Sequence, residues 1–262
     1  MVDRGRGVAL VTGAARRLGR EMALYLAGRG FDLAIHYDRS EAEAGHTAQA
    51  ARELGVQAQI FRADLLDEAA TGALIPAITE AMGQVTVLVN NASIFEYDNI
   101  HSADMTGWNR HIGSNLRAPF QLIQAFAAQA PPAGVREGEP VATGLVVNMV
   151  DQRVLKPTPE FMTYSLAKSA LWSLTRTAAQ ALAPSIRVNA IGPGPTMIGA
   201  RQSPAHFAQQ RAATILQRGA DPDDVTAALA YLLDARSVTG QLICVDGGQH
   251  LGWRTPDILG RE

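Results

Sequence analysis

Only one cysteine, Cys244, occurs in the 262 residues, which excludes an intrachain disulfide and a metal cluster held by cysteines. A surplus of either charge is also missing: 23 Lys and Arg stand against 25 Asp and Glu, for a net charge of −2. That balance gives no electrostatic reason to expect nucleic acid or a membrane surface as a partner. No apolar run approaches the ~20 residues needed to span a bilayer. The opening MVDRGRGVAL carries no long apolar segment of the kind a secretory signal needs. Neither an internal repeat nor an interdomain linker is visible. These absences lead us to expect a cytoplasmic protein of a reducing compartment, without bound metal and without a membrane or nucleic-acid partner.

What is present is apolar material for a large core: the residues AVILMFWYC make up 47% of the chain. Short β-branched runs alternate with longer helical patterns, as in a parallel sheet built from βαβ units. Strands are expected at residues 8–12, 32–37, 57–62, 85–90, 144–149, 187–191 and 241–245, and helices at 18–28, 42–54, 68–82, 105–129, 162–182 and 223–233. Runs such as VALVTG and TVLVNN are apolar nearly throughout, which suits strands covered by helices on both faces. The expectation is therefore one α/β domain over residues 1–262. Residues 131–140, PPAGVREGEP, read as an exposed loop. Residues 192–204, with three prolines, read as a candidate lid over an active site. The tail with Trp253 and Ile258 is expected to pack on something.

The first strand runs into Gly13, Ala14, Ala15, Arg16, Arg17, Leu18 and Gly19, where a helix begins. Backbone N–H groups at such a turn, with the helix dipole behind them, suit a dinucleotide pyrophosphate and a Rossmann-type fold. Gly13 permits the tight turn and Gly19 the close approach of helix to sheet. The spacing is T-G-x-x-x-x-x-G, with Arg17 where a middle glycine often sits. The plainer alternative is a turn that only connects strand to helix.

The end of the second strand bears on which nicotinamide cofactor fits. It reads His36, Tyr37, Asp38, Arg39, Ser40. An acid there commonly binds the ribose 2′-OH of NAD. Here Tyr37 takes the acid's position, and Arg39 and Ser40, with Arg17 and His36 as further candidates, are placed to hold a 2′-phosphate by charge-assisted hydrogen bonds. NADP(H) is expected; Asp38 leaves NADH as the alternative, and Arg39 as a solvated surface charge is the bland one. After the third strand, Asp64 and Leu65 are placed to meet the adenine, unless Asp64 is instead a helix N-cap. Asn91, Ala92 and Ser93 close the fourth strand at its ligand-facing end, where asparagines either touch ligand or brace the backbone.

Tyr164 and Lys168 lie four residues apart and so share one face of a helix. A neighbouring ammonium is expected to lower the tyrosine pKa and ready the phenol for proton donation. Y-x-x-x-K alone is a weak signal; its place after a phosphate loop, NNAS and a fifth strand makes it informative.

Over nearly its whole length the chain resembles the short-chain dehydrogenase/reductase family, through TGAARRLG, NNAS, Asn115, YSLAK, RVNAIGPGPT and the final VDGG. The resemblance implies a doubly wound seven-stranded parallel sheet and a nicotinamide cofactor. It also implies a catalytic set of Asn115, Tyr164 and Lys168, with Pro193, Gly194 and Thr196 near the nicotinamide. In the family the asparagine tethers a water on a proton relay. Most members end the fifth strand in a serine, whereas here NMVDQ places Asp151 there. That departure, with HYDRSEAEA and Phe95 after NNAS, resembles the pteridine reductase branch, dihydromonapterin and dihydrofolate reductases included. It implies that Asp151 works with Tyr164, that Phe95 stacks on a pterin, and that Arg17 and Ser93 line the same pocket. Asp151 as a turn cap and Phe95 as ordinary core packing are the plainer alternatives. A general carbonyl reductase and a catalytically idle NADP(H)-binding sensor are the competing functions. The Ala- and Leu-rich helices 105–129 and 162–182 imply a homo-oligomer, a dimer or tetramer.

Overall fold

The computed structural model describes residues 6–199 and 202–253. Seven parallel strands form one sheet: β1 (Val8–Val11), β2 (Asp32–Tyr37), β3 (Ala58–Arg62), β4 (Val85–Asn90), β7 (Gly144–Met149), β8 (Ile186–Pro193) and β9 (Leu242–Val245). Their order is β3-β2-β1-β4-β7-β8-β9, with every adjacent pair parallel. The chain winds outward from β1 in one direction and then, through β4, in the other. The crevice at that reversal, at the carboxyl ends of β1 and β4, is where such sheets hold ligands.

Side chains of successive strand residues point to opposite faces, so β1 feeds two cores. Ala9 and Val11 pack with α1 (Arg17–Gly28), α2 (Glu41–Glu53) and α8 (Pro222–Asp234). Val8 and Leu10 pack with α3 (Glu68–Met82), α5 (Ala118–Gln129) and α6 (Met162–Leu182). This is the doubly wound arrangement expected from the sequence.

Three local expectations need correction. Residues expected to form a plain loop contain an antiparallel hairpin, β5 (Gly134–Arg136) with β6 (Glu139–Val141). Its two turn residues, Glu137 and Gly138, have φ of 55° and 85°, the left-handed pair that suits a two-residue hairpin turn. The single helix expected at 105–129 is divided into α4 (Met105–Ile112), one π-helical turn (Gly113–Arg117) and α5. Finally, α7 (Pro204–Ala212) has no counterpart in the sequence reading. It buries none of its residues, so no apolar stripe announces it; Ser203 caps it by accepting from the His206 N–H at 3.2 Å. Of the tail, Trp253 is 57% exposed, and Ile258 lies outside the described residues.

Candidate active site

A cleft of about 780 Å³ opens at the carboxyl ends of the strands, from Gly13 at one end past Asn91 and Thr196 to Asp151 and Tyr164. Every residue expected to touch cofactor or substrate lines it, Leu18, Leu65, Ala92 and Pro193 among them; Asn115 lies behind it, fully buried.

The phosphate loop is held by close packing. Gly13 has φ +64°, and a Cβ on Gly19 would stand 2.3 Å from the Gly13 carbonyl oxygen, so neither position admits a side chain. Gly194 is closed in the same way, since its Cβ would meet Asp246 at 2.6 Å. Asn91 Nδ2 donates to the Thr12 carbonyl at 2.8 Å, which braces this turn rather than reaching for ligand. Backbone thus lies bare along the cleft, as a pyrophosphate needs. Arg17 has φ +55°, the left-handed conformation that explains why glycine often stands there. Its guanidinium donates to the carbonyls of Ile198 (2.8 Å) and Met197 (3.1 Å), drawing the segment after β8 over the cleft.

At the adenosine end the structure removes two expected phosphate ligands. His36 Nδ1 accepts from the Gly13 N–H at 3.0 Å, so the proton of its neutral ring is on Nε2, which donates to the Ala63 carbonyl at 3.0 Å. Both nitrogens are committed, and burial lowers the pKa of the imidazole. His36 fixes the loop and is not a 2′-phosphate donor. Arg17, engaged by two carbonyls elsewhere, is not one either. Arg39 fits that role better: it is exposed, tied among the described residues only to Asp38 at 3.3 Å, and Ser40 beside it makes no capping bond to α2. Tyr37 is buried, and Arg16 pairs with Glu43 at 3.6 Å. Asp64 is not the cap of α3, because Asp67 takes that place; Asp64 Oδ1 accepts from the Leu66 N–H at 2.9 Å and faces the cleft.

At the other end, Asp151 divides its two oxygens. Oδ1 accepts from the Arg153 N–H at 2.9 Å, capping the 3₁₀ turn Gln152–Val154, and Oδ2 accepts from the Tyr164 hydroxyl at 3.0 Å. Cap and tyrosine partner, separate alternatives in the sequence, are both true. Lys168, one turn along α6, donates to the Met149 carbonyl at 2.7 Å, and its Nζ lies 5.7 Å from the Tyr164 ring centroid. The π turn carries Asn115, whose Nδ2 donates to the Ile94 carbonyl at 2.9 Å and whose Oδ1 accepts from the Ser93 hydroxyl at 2.6 Å. Thr196, near the middle, donates to the Gly194 carbonyl at 3.1 Å.

The electrostatics reverse one expectation. Tyr164 is not lowered by the ammonium; burial first, then the charge and hydrogen bond of Asp151, hold its pKa well above the ordinary value. Burial also raises Asp151, against the Arg153 N–H and the charge of Arg153, and it lowers Lys168 to about 8 despite the charge of Asp151. Through neutral pH the phenol therefore keeps its proton, donated toward the carboxylate.

Phe95 is 42% exposed, which excludes ordinary core packing. Its ring stacks on Phe161 (centroids 4.3 Å apart, planes 14° apart) and meets Tyr164 edge-on at 4.6 Å. The guanidinium of Arg153 lies 5.0 Å from the Phe161 ring centroid. Phe161, with φ +53° just before α6, and Arg153 were not read from the sequence. A bulky residue in the left-handed region leaves no sequence signal, although the aromatic three positions before Tyr164 was there to be noticed. Among the described residues, no group of three or more His, Cys, Asp and Glu could hold a metal ion, and no helix is long and apolar enough to cross a membrane.

Bare backbone for a phosphate at one end of a cleft and an acid–base set at the other are what a dinucleotide-dependent oxidoreductase requires. The chain belongs to the short-chain dehydrogenase/reductase family: the family profile described as enoyl-(acyl carrier protein) reductase matches residues 13–250. Among solved structures, FolM alternative dihydrofolate reductase 1 from Brucella suis in complex with NADP is 42% identical with a TM-score of 0.89, covering 98% of this chain and 100% of that one. Pteridine reductase 1 of Leishmania tarentolae is 32% identical over 289 residues, covering 93% of this chain and 96% of its own. The 3-oxoacyl-[acyl-carrier-protein] reductase FabG of Staphylococcus aureus is 29% identical over 248 residues, covering 93% and 98%.

Proposed function

We propose that the protein is an NADPH-dependent reductase of a dihydropterin or dihydrofolate, acting at a ring C=N bond. The observation that carries this reading is the 3.0 Å hydrogen bond from Tyr164 to the Asp151 carboxylate, at the position where most of the family is similar in carrying a serine. The 42% identity to an alternative dihydrofolate reductase supports it. Residues 13–19 would hold the pyrophosphate of NADPH and Arg39 and Ser40 its 2′-phosphate, and the bound cofactor would supply a hydride.

The protein supplies the proton and the orientation. Tyr164 holds its proton through neutral pH and gives it to the ring nitrogen next to the reduced carbon. Burial pushes both Asp151 and Tyr164 up, which keeps the phenolic proton in place until the ring nitrogen receives it. Lys168, still largely cationic at neutral pH with a pKa near 8, offsets the charge left on the pair. A carboxylate also accepts the N–H groups of an aminopyrimidine edge, which a serine serves less well. Phe95 offers the aromatic face on which a flat ring stacks. Arg17 and Ser93 complete the pocket.

We assign the protein to the cytoplasm and to a homo-oligomer. Met105, Phe120 and Leu166 are exposed on α4, α5 and α6 of the single chain, and a second copy covering those helices removes that apolar surface from water. The 3-oxoacyl reductase relative favours a second reading, a carbonyl reductase. One panel separates the two: NADPH oxidation with dihydrofolate, dihydrobiopterin, a diketone and a 3-oxoacyl thioester. Turnover of pterins or folate alone supports the first reading; turnover of carbonyl compounds alone overturns it.

A further inference from the structure

Behind Tyr164 lies a buried chain of polar groups that the proposed chemistry does not use. Asp98, in the segment between β4 and α4, His111 on α4 and Thr163 on α6 are exposed by only 6%, 1% and 4%. Phe161, at the cap position before α6, has no side-chain acceptor for the helix, so the first N–H groups there need partners from elsewhere. Asp98 provides them. Its carbonyl accepts from the N–H of Phe161 at 2.8 Å and of Met162 at 3.4 Å, and its Oδ1 accepts from the Thr163 N–H at 3.2 Å. An anion at a helix N-terminus also gains from the helix dipole.

The chain has a direction. The Glu96 N–H donates to His111 Nε2 at 3.1 Å, so that nitrogen bears no proton and the neutral ring carries its proton on Nδ1. Nδ1 donates to the Thr163 hydroxyl at 2.6 Å. That hydroxyl donates to Asp98 Oδ2. Every donor has its acceptor only while the imidazole is neutral. A second proton, on Nε2, would confront the Glu96 N–H with another donor and break that contact. The groups facing His111 are Asp98 and Glu96 from the segment after β4, Arg110 on its own helix, and the Tyr164 ring, whose centroid is 6.1 Å away. The Glu96 carboxylate is itself paired with Arg110 at 2.8 Å.

We propose that Asp98, Thr163 and His111 form a positioning clamp that holds the Phe95 segment against the start of α6, and that it releases when His111 takes up a proton. It ties together two walls of the substrate site: Phe95 is one residue from the Glu96 N–H, and Tyr164 is one residue from Thr163. None of the three residues touches the reacting atoms. The clamp acts on Tyr164 and the aromatic wall, so it does not depend on which substrate the enzyme takes.

The test needs His111→Gln, which cannot be charged and keeps an acceptor for Glu96, and Thr163→Val, which keeps shape but loses the hydroxyl. Hydrogen exchange of the wild-type protein, corrected for the intrinsic rate, is followed by mass spectrometry from pH 8 down to about pH 5. Protection of peptides covering residues 94–99 and 161–164 is expected to fall by about tenfold or more as His111 protonates, with the sheet unaffected. In His111→Gln the pH dependence of those peptides is expected to vanish. In Thr163→Val the same peptides lose protection at every pH. Turnover of whichever substrate the panel identifies falls about 100-fold, the scale of a misplaced catalytic group, while NADPH affinity stays within about twofold. Protection that does not vary with pH in the wild type, or that varies equally in His111→Gln, overturns the proposal. So does a Thr163→Val enzyme with wild-type turnover. Absence of pterin and folate turnover in the wild type bears on the substrate reading alone, because the exchange measurement does not use a substrate.

Discussion

Replacing Asp151 separates chemistry from structure, because its two oxygens have different duties. Oδ1 caps a 3₁₀ turn at 2.9 Å, and Oδ2 accepts the hydrogen bond of the Tyr164 hydroxyl at 3.0 Å. Asp151→Asn keeps an oxygen for the cap and removes the charge, whereas Asp151→Ser gives up the reach to Tyr164 as well. Loss of a cap costs about 0.5–2 kcal/mol, but Asn and Ser cap as well as Asp, so either variant is expected to leave the melting temperature almost unmoved. Positioned acid–base catalysis contributes about 10²–10⁴-fold. Removing the partner but not the phenol should therefore cost about 10²–10³-fold in kcat/KM, or roughly 3–4 kcal/mol of barrier. The loss should fall on kcat more than on KM, and NADPH affinity should stay near wild type, because Asp151 lies at the far end of the cleft from the phosphate loop. The pH profile carries a second signature. The Asp151 charge raises Lys168, whose pKa stands at about 8. Without that charge Lys168 loses its proton at lower pH, and the alkaline limb of kcat/KM should move toward neutrality. Stopped-flow NADPH oxidation with dihydrofolate over pH 6 to 10 measures both effects. An Asn enzyme with unchanged turnover and an unmoved alkaline limb refutes any part for the carboxylate in proton delivery.

Arg39→Ala should weaken NADPH by about tenfold or more, the loss of one charge-assisted phosphate contact, and leave NADH unchanged; equal losses in fluorescence titrations would mean that the 2′-phosphate lies elsewhere. Gly19→Ala places a Cβ 2.3 Å from backbone oxygen and 2.6 Å from Asn91 Nδ2, so it should cost about 1–3 kcal/mol of stability and most of the NADPH affinity. A soluble Ala enzyme with wild-type melting and binding contradicts the packing argument. His36 is held neutral by burial, with its folded pKa below the unfolded value of 6.5. Its contribution to stability is therefore present above about pH 6.5 and lost as the pH falls through the depressed folded value. Melting temperatures should drop over that interval, and less steeply in His36→Gln.

The parts of this molecule legible in the sequence are those fixed by local physics. Strands covered on both faces must be apolar throughout, so VALV and TVLVN declared themselves and the sheet followed; a helical spacing of four put Tyr164 and Lys168 on one face whatever lay around them. The parts that were not legible depend on what stands opposite a side chain in space. His36 looks like a phosphate ligand until the Gly13 N–H and the Ala63 carbonyl are seen to occupy its two nitrogens. Tyr164 beside a lysine looks like an acidified phenol. Only its burial, and a carboxylate brought to 3.0 Å from another element, show that the proton is held more firmly than usual. Phe161 and the Asp98–Thr163–His111 chain leave no periodic trace, because their partners lie 15 to 65 residues apart along the chain or depend on a left-handed backbone. The same argument ranks the readings of this site. A motif places residues on one face, but the state of a proton depends on burial and on the group opposite, and here the group opposite the phenol is an acid.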